Sequence, residues 1–323
     1  MCARGAYDPP VRVRRIVLVG LLLSLGLLSA CAPTVSQPVG PVASADPTGC
    51  GRATRDAGTT TSRTLQVDGR ARTYAVHLPA GYDAARPTPV VLAFHGHGMA
   101  PSTLEAFSGF DDGAAIAVYP QASGTSPADG WQGAPYASGA DDVAFVSDLL
   151  DDLEASFCVD PAHIGAAGIS NGGGFVSLLS CALPGRIAAF AVVAGAIYPA
   201  HNPPCPSARP VPVIEFHGTA DPVIAYGGGT AHGTAFASVD QWLDEQVHRD
   251  GCASTPSETR IGADVVAQTW SGCRAPGAVV HYRIDGGGHT WPGAAGRDGP
   301  GETTQTISAT TLIERFFAAH PLA

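Results

Sequence analysis

The chain has 323 residues, of which 45% are hydrophobic and 14% charged, and its formal net charge is −10 at pH 7. Nucleic acid binding depends on an excess of basic side chains, which this acidic chain lacks. We therefore exclude a nucleic acid partner. The length suits one large α/β domain preceded by a leader.

The amino terminus is predicted to be a targeting segment, with a signal peptide over residues 1–30. Arg12, Arg14 and Arg15 precede an apolar run, Ile16–Leu28, that is short for a membrane span but suits a signal peptide. The run leads into Leu28-Ser29-Ala30-Cys31, which resembles the bacterial lipobox and implies cleavage before Cys31 and lipidation of its sulfur. A plain signal peptide cut nearby is the alternative.

Residues 31–49 are rich in Pro, Ser, Val and Gly and show no periodicity, which predicts a flexible linker ahead of a folded domain at 50–323. Both forms of the leader predict export from the cytoplasm. The lipid-anchored form would hold the domain at the outer face of the cytoplasmic membrane, and we expect no other membrane contact. We expect a monomer.

Short apolar runs alternate with helical patterns through the predicted domain. This alternation predicts an α/β fold with a mostly parallel central sheet flanked by helices. Helical patterns cover Asp141–Phe157 and Phe175–Leu183. The predicted strands are Ala75–Leu78, Val90–Phe94, Ala115–Tyr119, Ile164–Ala167, Phe190–Val193, Val213–Phe216 and Val279–Ile284.

The second of these strands runs into His95-Gly96-His97-Gly98. Motifs further along the chain, described below, indicate an architecture in which such a loop supplies one backbone N–H to an oxyanion hole. We predict that the backbone N–H of His97 has this role. His95 and His97 could instead form a metal pair, but no cluster of carboxylate or cysteine ligands accompanies them. We therefore predict no metal and no cofactor.

Gly168-Ile169-Ser170-Asn171-Gly172 follows a predicted strand and precedes a predicted helix. This G-x-S-x-G pattern is typical of a nucleophilic serine on a sharp strand-to-helix turn, with glycines where the two backbones approach closely. Ser170 is the candidate nucleophile, and the N–H of Asn171 is the second oxyanion donor. The alternative is a glycine-rich turn with an idle serine.

An acid and a base follow Ser170 in the chain order expected for a catalytic triad. A predicted buried strand ends in His217-Gly218-Thr219-Ala220-Asp221, and a later one leads to Gly288-His289-Thr290-Trp291-Pro292. A serine needs an imidazole to take its proton and a carboxylate to fix the tautomer of that imidazole. We assign His289 and Asp221 to these roles, with Asp285 or Asp240 as alternative acids.

Together, these four motifs resemble those of the secreted polyhydroxybutyrate depolymerase and feruloyl esterase family of α/β-hydrolases, over about residues 60–320. The resemblance implies hydrolysis of a small or oligomeric ester through an acyl-enzyme, with Ser170, Asp221 and His289 as the triad. The depolymerases often carry a cysteine or serine at the position of His97. The substrate is therefore left open among short-chain, hydroxyalkanoate and hydroxycinnamoyl esters.

Six cysteines lie in the predicted domain, and in an exported chain they predict three disulfides. Six cysteines allow fifteen pairings. Proximity favours Cys252 with Cys273 and Cys181 with Cys205, which leaves Cys50 with Cys158. A free buried thiol is the alternative for any one pair.

Trp291, close to His289, and Trp131, in a loop rich in Gly, Pro and Ser, are predicted to form apolar walls beside the substrate. Core or loop packing is the alternative for each. An extracytoplasmic serine esterase is the predicted function. The competing hypothesis is a non-catalytic, envelope-binding lipoprotein on a hydrolase scaffold.

Overall fold

The computed structural model describes residues 49–52, 54–123, 130–202, 205, 209–296 and 298–322. The predicted signal peptide and Cys31 lie outside the described residues, as does the predicted linker apart from Gly49. None of the helices in the described part of the chain has the length and apolar character needed to span a membrane.

One large sheet dominates the described residues. Ten strands follow one another across it in the order β1-β2-β4-β3-β5-β6-β7-β12-β11-β10, and β8 and β9 form a separate hairpin. The strands are β1 (Thr60–Val67), β2 (Arg70–His77), β3 (Thr88–Phe94), β4 (Ile116–Pro120), β5 (Val159–Ile169), β6 (Ala189–Val193), β7 (Pro212–Gly218), β8 (Gly229–Ala231), β9 (Thr234–Phe236), β10 (Ser257–Ile261), β11 (Val265–Trp270) and β12 (Ala278–Ile284).

The six central strands, from β4 to β12, pair in parallel, and antiparallel strands complete both edges. This confirms the predicted mostly parallel sheet and the α/β-hydrolase fold class. The helices are α1 (Pro101–Ser108), α2 (Asp142–Ser156), α3 (Asn171–Ala182), α4 (Val239–Asp250) and α5 (Ala309–Ala319), with a short 3-10 turn at Phe110–Asp112.

Helices cover both faces of the sheet, and the alternation of side chains along the strands explains the two cores. Along β3, Val90, Leu92 and Phe94 join one buried cluster with residues of α2, α3 and α4. Val91 and Ala93 join the other, with residues of α1 and α5. Because both faces of the central strands are buried, their sequences read as continuous apolar runs.

The order of the strands places the loops of the site side by side. From β3 the chain crosses to β4 on one side and then returns to β5 on the other side of β3. The carboxyl ends of β3 and β5 therefore flank a topological switch point, where open α/β sheets bind their ligands.

Three disulfides connect the described residues: Cys50–Cys158, Cys181–Cys205 and Cys252–Cys273. These are the three predicted pairs: Cys252–Cys273 and Cys181–Cys205 by proximity in the sequence, and Cys50–Cys158 by elimination. Cys50–Cys158 ties the start of the described chain to the residue before β5, and Cys252–Cys273 ties the end of α4 to the segment before β12. Such bonds persist in oxidising compartments, so they fit an extracellular protein.

Candidate active site

The candidate triad residues and His97 lie in loops or turns at the carboxyl ends of parallel strands. His97 follows β3, Ser170 follows β5, Asp221 follows β7, and His289 follows β12. Because these strands run in the same direction, their ends meet at one edge of the sheet. The fold thus brings together residues that are almost two hundred positions apart in sequence.

Ser170 occupies the turn between β5 and α3 with φ 58° and ψ −121°. A non-glycine residue in such a region costs about 1–3 kcal/mol and persists only where its surroundings hold it. Two glycines make the turn possible by their lack of a side chain. A Cβ on Gly172 would collide with the Phe94 carbonyl, and one on Gly168 would collide with the backbone of Gly172.

His289 is hydrogen-bonded to Asp221, with 2.8 Å between Nδ1 and Oδ2. A carboxylate only accepts, so the proton of the neutral imidazole lies on Nδ1 and Nε2 is left to take another. The other oxygen of Asp221 accepts from the backbone N–H groups of Val223 and Ile224, each at 2.8 Å.

The carboxylate of Asp221 is buried and remains ionised. Burial acts to raise its pKa, but hydrogen bonds from His217 and His289 outweigh this and hold the pKa below the usual range for aspartate. Of the predicted acids, Asp221 is the one hydrogen-bonded to the candidate base. Asp285 instead pairs with Arg260 and Arg283.

The loop after β3 lies directly against Ser170, because a Cβ on Gly96 would come within 3.3 Å of the Ser170 Cβ. Asn171 is the first residue of α3, and the N–H groups of the first helical turn have no partner within the helix. The loop that carries His97 and the first residue of α3 thus both adjoin Ser170.

A cavity of about 250 Å³ opens beside Ser170 and His289. Tyr136 forms one wall: its ring stacks on His97 at 4.0 Å between centroids and meets His232 edge-on at 4.5 Å. The lining residues are Gly96, His97, Met99, Tyr136, Ile169, Ser170, Tyr198, Val223, Ile224, Ala231, His232, His289, Asp298, Gly299 and Pro300.

The prediction that Trp131 lines the substrate site is wrong. Its side chain is fully buried, stacks on Phe175 and donates from Nε1 to the His95 carbonyl at 3.0 Å. Its backbone N–H donates to Oδ1 of Asn171 at 2.7 Å. Trp131 therefore supports the loop after β3 and the start of α3 from behind.

The prediction for Trp291 is also wrong. Its ring is 1% exposed, packs against Phe107 and Phe110, and donates from Nε1 to the Thr310 hydroxyl at 3.0 Å. Its backbone N–H is bonded to Asp298. An indole this deep in the core anchors the loop that carries His289 and cannot meet a substrate.

The two histidines of the first loop do not act as a metal pair. His95 is buried; its Nε2 accepts from the Ala122 N–H at 3.2 Å and its Nδ1 donates to the Gly96 carbonyl at 2.8 Å. Burial lowers the pKa of His95 to about 4, so the ring is neutral and both nitrogens are engaged with backbone. His97 instead faces the cavity.

Elsewhere in the described residues, one His/Asp/Glu group has ligand atoms within 4.8 Å of one another: His77, Glu105 and Asp111. His77 pairs with Ala117 near the amino end of β4. This group is therefore at the edge of the sheet opposite Ser170.

Sequence reasoning missed two parts of the site. The aromatic wall of Tyr136, Tyr198 and His232 comes from segments without a periodic pattern. A buried group of Glu215, His217 and His281 lies behind Asp221. In Glu215-Phe216-His217, two polar residues alternate with an apolar one within an otherwise apolar strand. This pattern was a sequence signal for the buried polar group.

Comparison with known proteins shows that the chain is similar to esterases. Feruloyl esterase B of Piromyces equi is 29% identical over 230 residues, covering 68% of this chain but 42% of that protein. “Putative esterase NocK” of Nocardia uniformis subsp. tsuyamanensis is 30% identical over 318 residues, covering 85% of this chain and 89% of that protein.

Among solved structures, an acetyl xylan esterase from Aspergillus awamori has a TM-score of 0.53 at 12% identity, covering 71% of this chain and 94% of that one. No family model matches the chain.

The parallel sheet, with a serine turn after β5 and an acid and a histidine after later strands, is the architecture of an α/β-hydrolase. The relatives narrow this class. The chain belongs to the feruloyl esterase-like family of α/β-hydrolases, and it is a carboxylic-ester hydrolase.

Trp131→Phe tests the supporting role of Trp131. Phenylalanine keeps the ring packing but removes the hydrogen bond to the His95 carbonyl, which contributes about 1 kcal/mol. We expect ester hydrolysis to fall roughly fivefold in kcat. Trp242→Phe is the matched control, because it also loses a buried indole hydrogen bond, to Ser177 at 2.8 Å, away from the loop after β3. Equal activities of the two variants would contradict this role.

Proposed function

We propose that the protein is a serine esterase acting through an acyl-enzyme, with Ser170 as nucleophile, His289 as general base and Asp221 as the residue that orients His289. One observation carries the proposal: Ser170, on its strained turn, shares a cavity with a histidine whose Nδ1 is bonded to a buried aspartate. This arrangement leaves Nε2 of His289 available for proton transfer.

In the first half of the reaction, the Ser170 hydroxyl attacks the ester carbon while its proton passes to His289. The N–H groups of His97 and Asn171 stabilise the oxyanion. Collapse of the tetrahedral intermediate breaks the ester bond, and the leaving alcohol takes the proton from His289. In the second half, water attacks the carbonyl carbon of acyl-Ser170 and gives a proton to His289; collapse of this intermediate breaks the bond to Ser170, whose oxygen takes that proton back from His289 as the carboxylic acid is released.

The walls of the cavity favour an ester of a planar aromatic acid, so among the candidate substrates we propose hydroxycinnamoyl esters. Tyr136, His97 and His232 present rings on which an aromatic acyl group can stack, and Met99 and Val223 add apolar contact. The relative from Piromyces equi is named a feruloyl esterase.

We also propose that the enzyme works outside the cytoplasm and is anchored by a lipid on Cys31. The lipobox-like sequence, the linker after it and the disulfides support this location.

Ser170→Ala tests the nucleophile. Removing the hydroxyl should lower kcat by about 10⁴ to 10⁶, typical of a triad nucleophile, while thermal unfolding stays close to wild type. A fluorophosphonate probe should label wild type at Ser170, as located by peptide mass spectrometry, and should not label the variant. Wild type that neither hydrolyses esters nor takes up the probe would favour a non-catalytic binding protein.

Tyr136→Leu tests the aromatic wall. Methyl ferulate and methyl butyrate share a leaving group and differ only in the acyl part, so their ratio isolates acyl recognition. An aromatic pair contributes about 0.5–1.5 kcal/mol beyond area burial. We expect kcat/KM to fall roughly fivefold for methyl ferulate and to change less than twofold for methyl butyrate. An equal fall for both esters would reject the aromatic acyl site.

Cys31→Ala tests the anchor. A lipid chain contributes about 0.8 kcal/mol per buried methylene, so its loss should move the protein from the membrane fraction to the soluble fraction of expressing cells. Cys2→Ala, a cysteine within the predicted signal peptide, is the control and should leave the distribution unchanged. Continued sedimentation of the Cys31 variant with membranes would exclude this anchor.

A further inference from the structure

A chain of buried polar side chains extends from Asp221 through His217 and Glu215 to His281. Nε2 of His217 lies 3.4 Å from Oδ2 of Asp221, and Nδ1 of His217 lies 3.0 Å from Oε1 of Glu215. Nδ1 of His281 lies 2.5 Å from the other oxygen of Glu215. The three side chains are at most 3% exposed, and none of them lines the cavity.

The hydrogen bonds of His217 define its protonation state. Nε2 is 2.8 Å from the carbonyl oxygen of Ile224, which can only accept. Nδ1 faces the Glu215 carboxylate, which also only accepts when ionised. Both ring nitrogens therefore carry hydrogens, and His217 is an imidazolium.

The charges around His217 agree with this state. Burial acts to lower the pKa of His217, but hydrogen bonds with Asp221 and Glu215 outweigh it and raise the pKa to about 10. Burial acts to raise the pKa of Glu215, but His281 and His217 hold it below the usual range for glutamate.

Other titratable and charged groups surround the pair of Glu215 and His217. Tyr226 lies 2.9 Å from Nε2 of His281 and 3.5 Å from Asp240, at the start of α4. In the parallel register, Arg283 on β12 lies opposite His217, and its side chain pairs with Asp285. His289 approaches Asp221 from the loop after β12. Among the described residues, His217 is the one group that contacts both Glu215 and Asp221.

We propose that His217 is a positioning residue that remains protonated through the catalytic cycle, fixing the loop that carries Asp221 and balancing the charge of Glu215 behind it. The inference rests on the proposed triad. One N–H of His217 holds the loop by donating to the carbonyl of Ile224. Ile224 also lines the cavity.

The sign of the electrostatic effect follows from charge. His289 must be neutral to accept the proton of Ser170, so kcat/KM falls at acid pH, where the base is protonated. Removing the positive charge beside Asp221 leaves two carboxylates near His289 and favours its protonated form. The acid limb of the pH profile should therefore move to higher pH.

His217→Gln tests this effect, because glutamine can still donate to Ile224 but carries no charge. We expect the acid limb of kcat/KM to move upward by about one to two pH units. His281→Gln is the matched control, equally buried and also in contact with Glu215 but one residue further from Asp221, so its limb should move much less. In the double variant Glu215→Gln/His217→Gln, which removes both charges of the pair, the limb should return toward wild type.

An unmoved limb in His217→Gln, or equal shifts in His217→Gln and His281→Gln, would overturn the inference. Nitrogen-15 NMR of wild type labelled at histidine provides a test that no folding defect can obscure. We expect both ring nitrogens of His217 to remain protonated at about pH 8, where an ordinary histidine is neutral. A neutral His217 ring at that pH would also overturn the inference.

Failure of the proposed function gives a different result. If Ser170→Ala retained full hydrolysis, the triad assignment would fall whatever the pH profiles showed. If hydrolysis depends on Ser170 and His289 but the profile does not respond to His217→Gln, only the role of His217 is rejected.

Discussion

The backbone conformation of Ser170 is the constraint on which the rest of the site depends. Its N–H donates to the Val193 carbonyl at the end of β6, and its carbonyl accepts from the N–H groups of Gly174 and Ala196. A strained residue persists only when its surroundings determine its position. Here β6 and the first turn of α3 provide those surroundings, so the sheet core rather than a surface loop fixes the position of Ser170.

Burying the acid of the site creates a second constraint, because a buried charge must be compensated. Asp221 has two backbone donors and two histidine neighbours, and it lies close to a second carboxylate on the preceding strand. The pair of Glu215 and His217 is neutral as a whole but presents its cationic end to Asp221. The fold can thus bury two carboxylates at the end of β7 without forcing either to take up a proton.

The sequence was most informative where burial was greatest. Central strands such as β3 and β7 are buried on both faces, so their apolar runs were predicted closely. The edge strands β1 and β10 were not predicted, because exposed polar residues interrupt their patterns. The candidate triad could be proposed because each motif directly follows a strand, and parallel strands bring their carboxyl ends together.

Side-chain direction in the loops could not be read in the same way. Trp291 is two residues from His289, and proximity in sequence suggested a place in the cavity, but a loop without regular geometry has no period from which direction follows. The interior also offered Trp291 both a hydrogen-bond acceptor and aromatic neighbours, which a large indole needs when it is buried.

The positions of the aromatic residues separate support from recognition. Two indole rings, those of Trp131 and Trp291, lie behind the loops of His97 and His289 and hold them through hydrogen bonds. The smaller rings of Tyr136 and His232 line the cavity, and His232 is exposed at φ 50° in a tight hairpin turn between β8 and β9. A substitution in that hairpin would change the surface offered to an acyl group while leaving the supports of the reacting atoms in place. In the proposed enzyme, the residues that hold the reacting groups in place are therefore separate from the residues that would contact the acyl group.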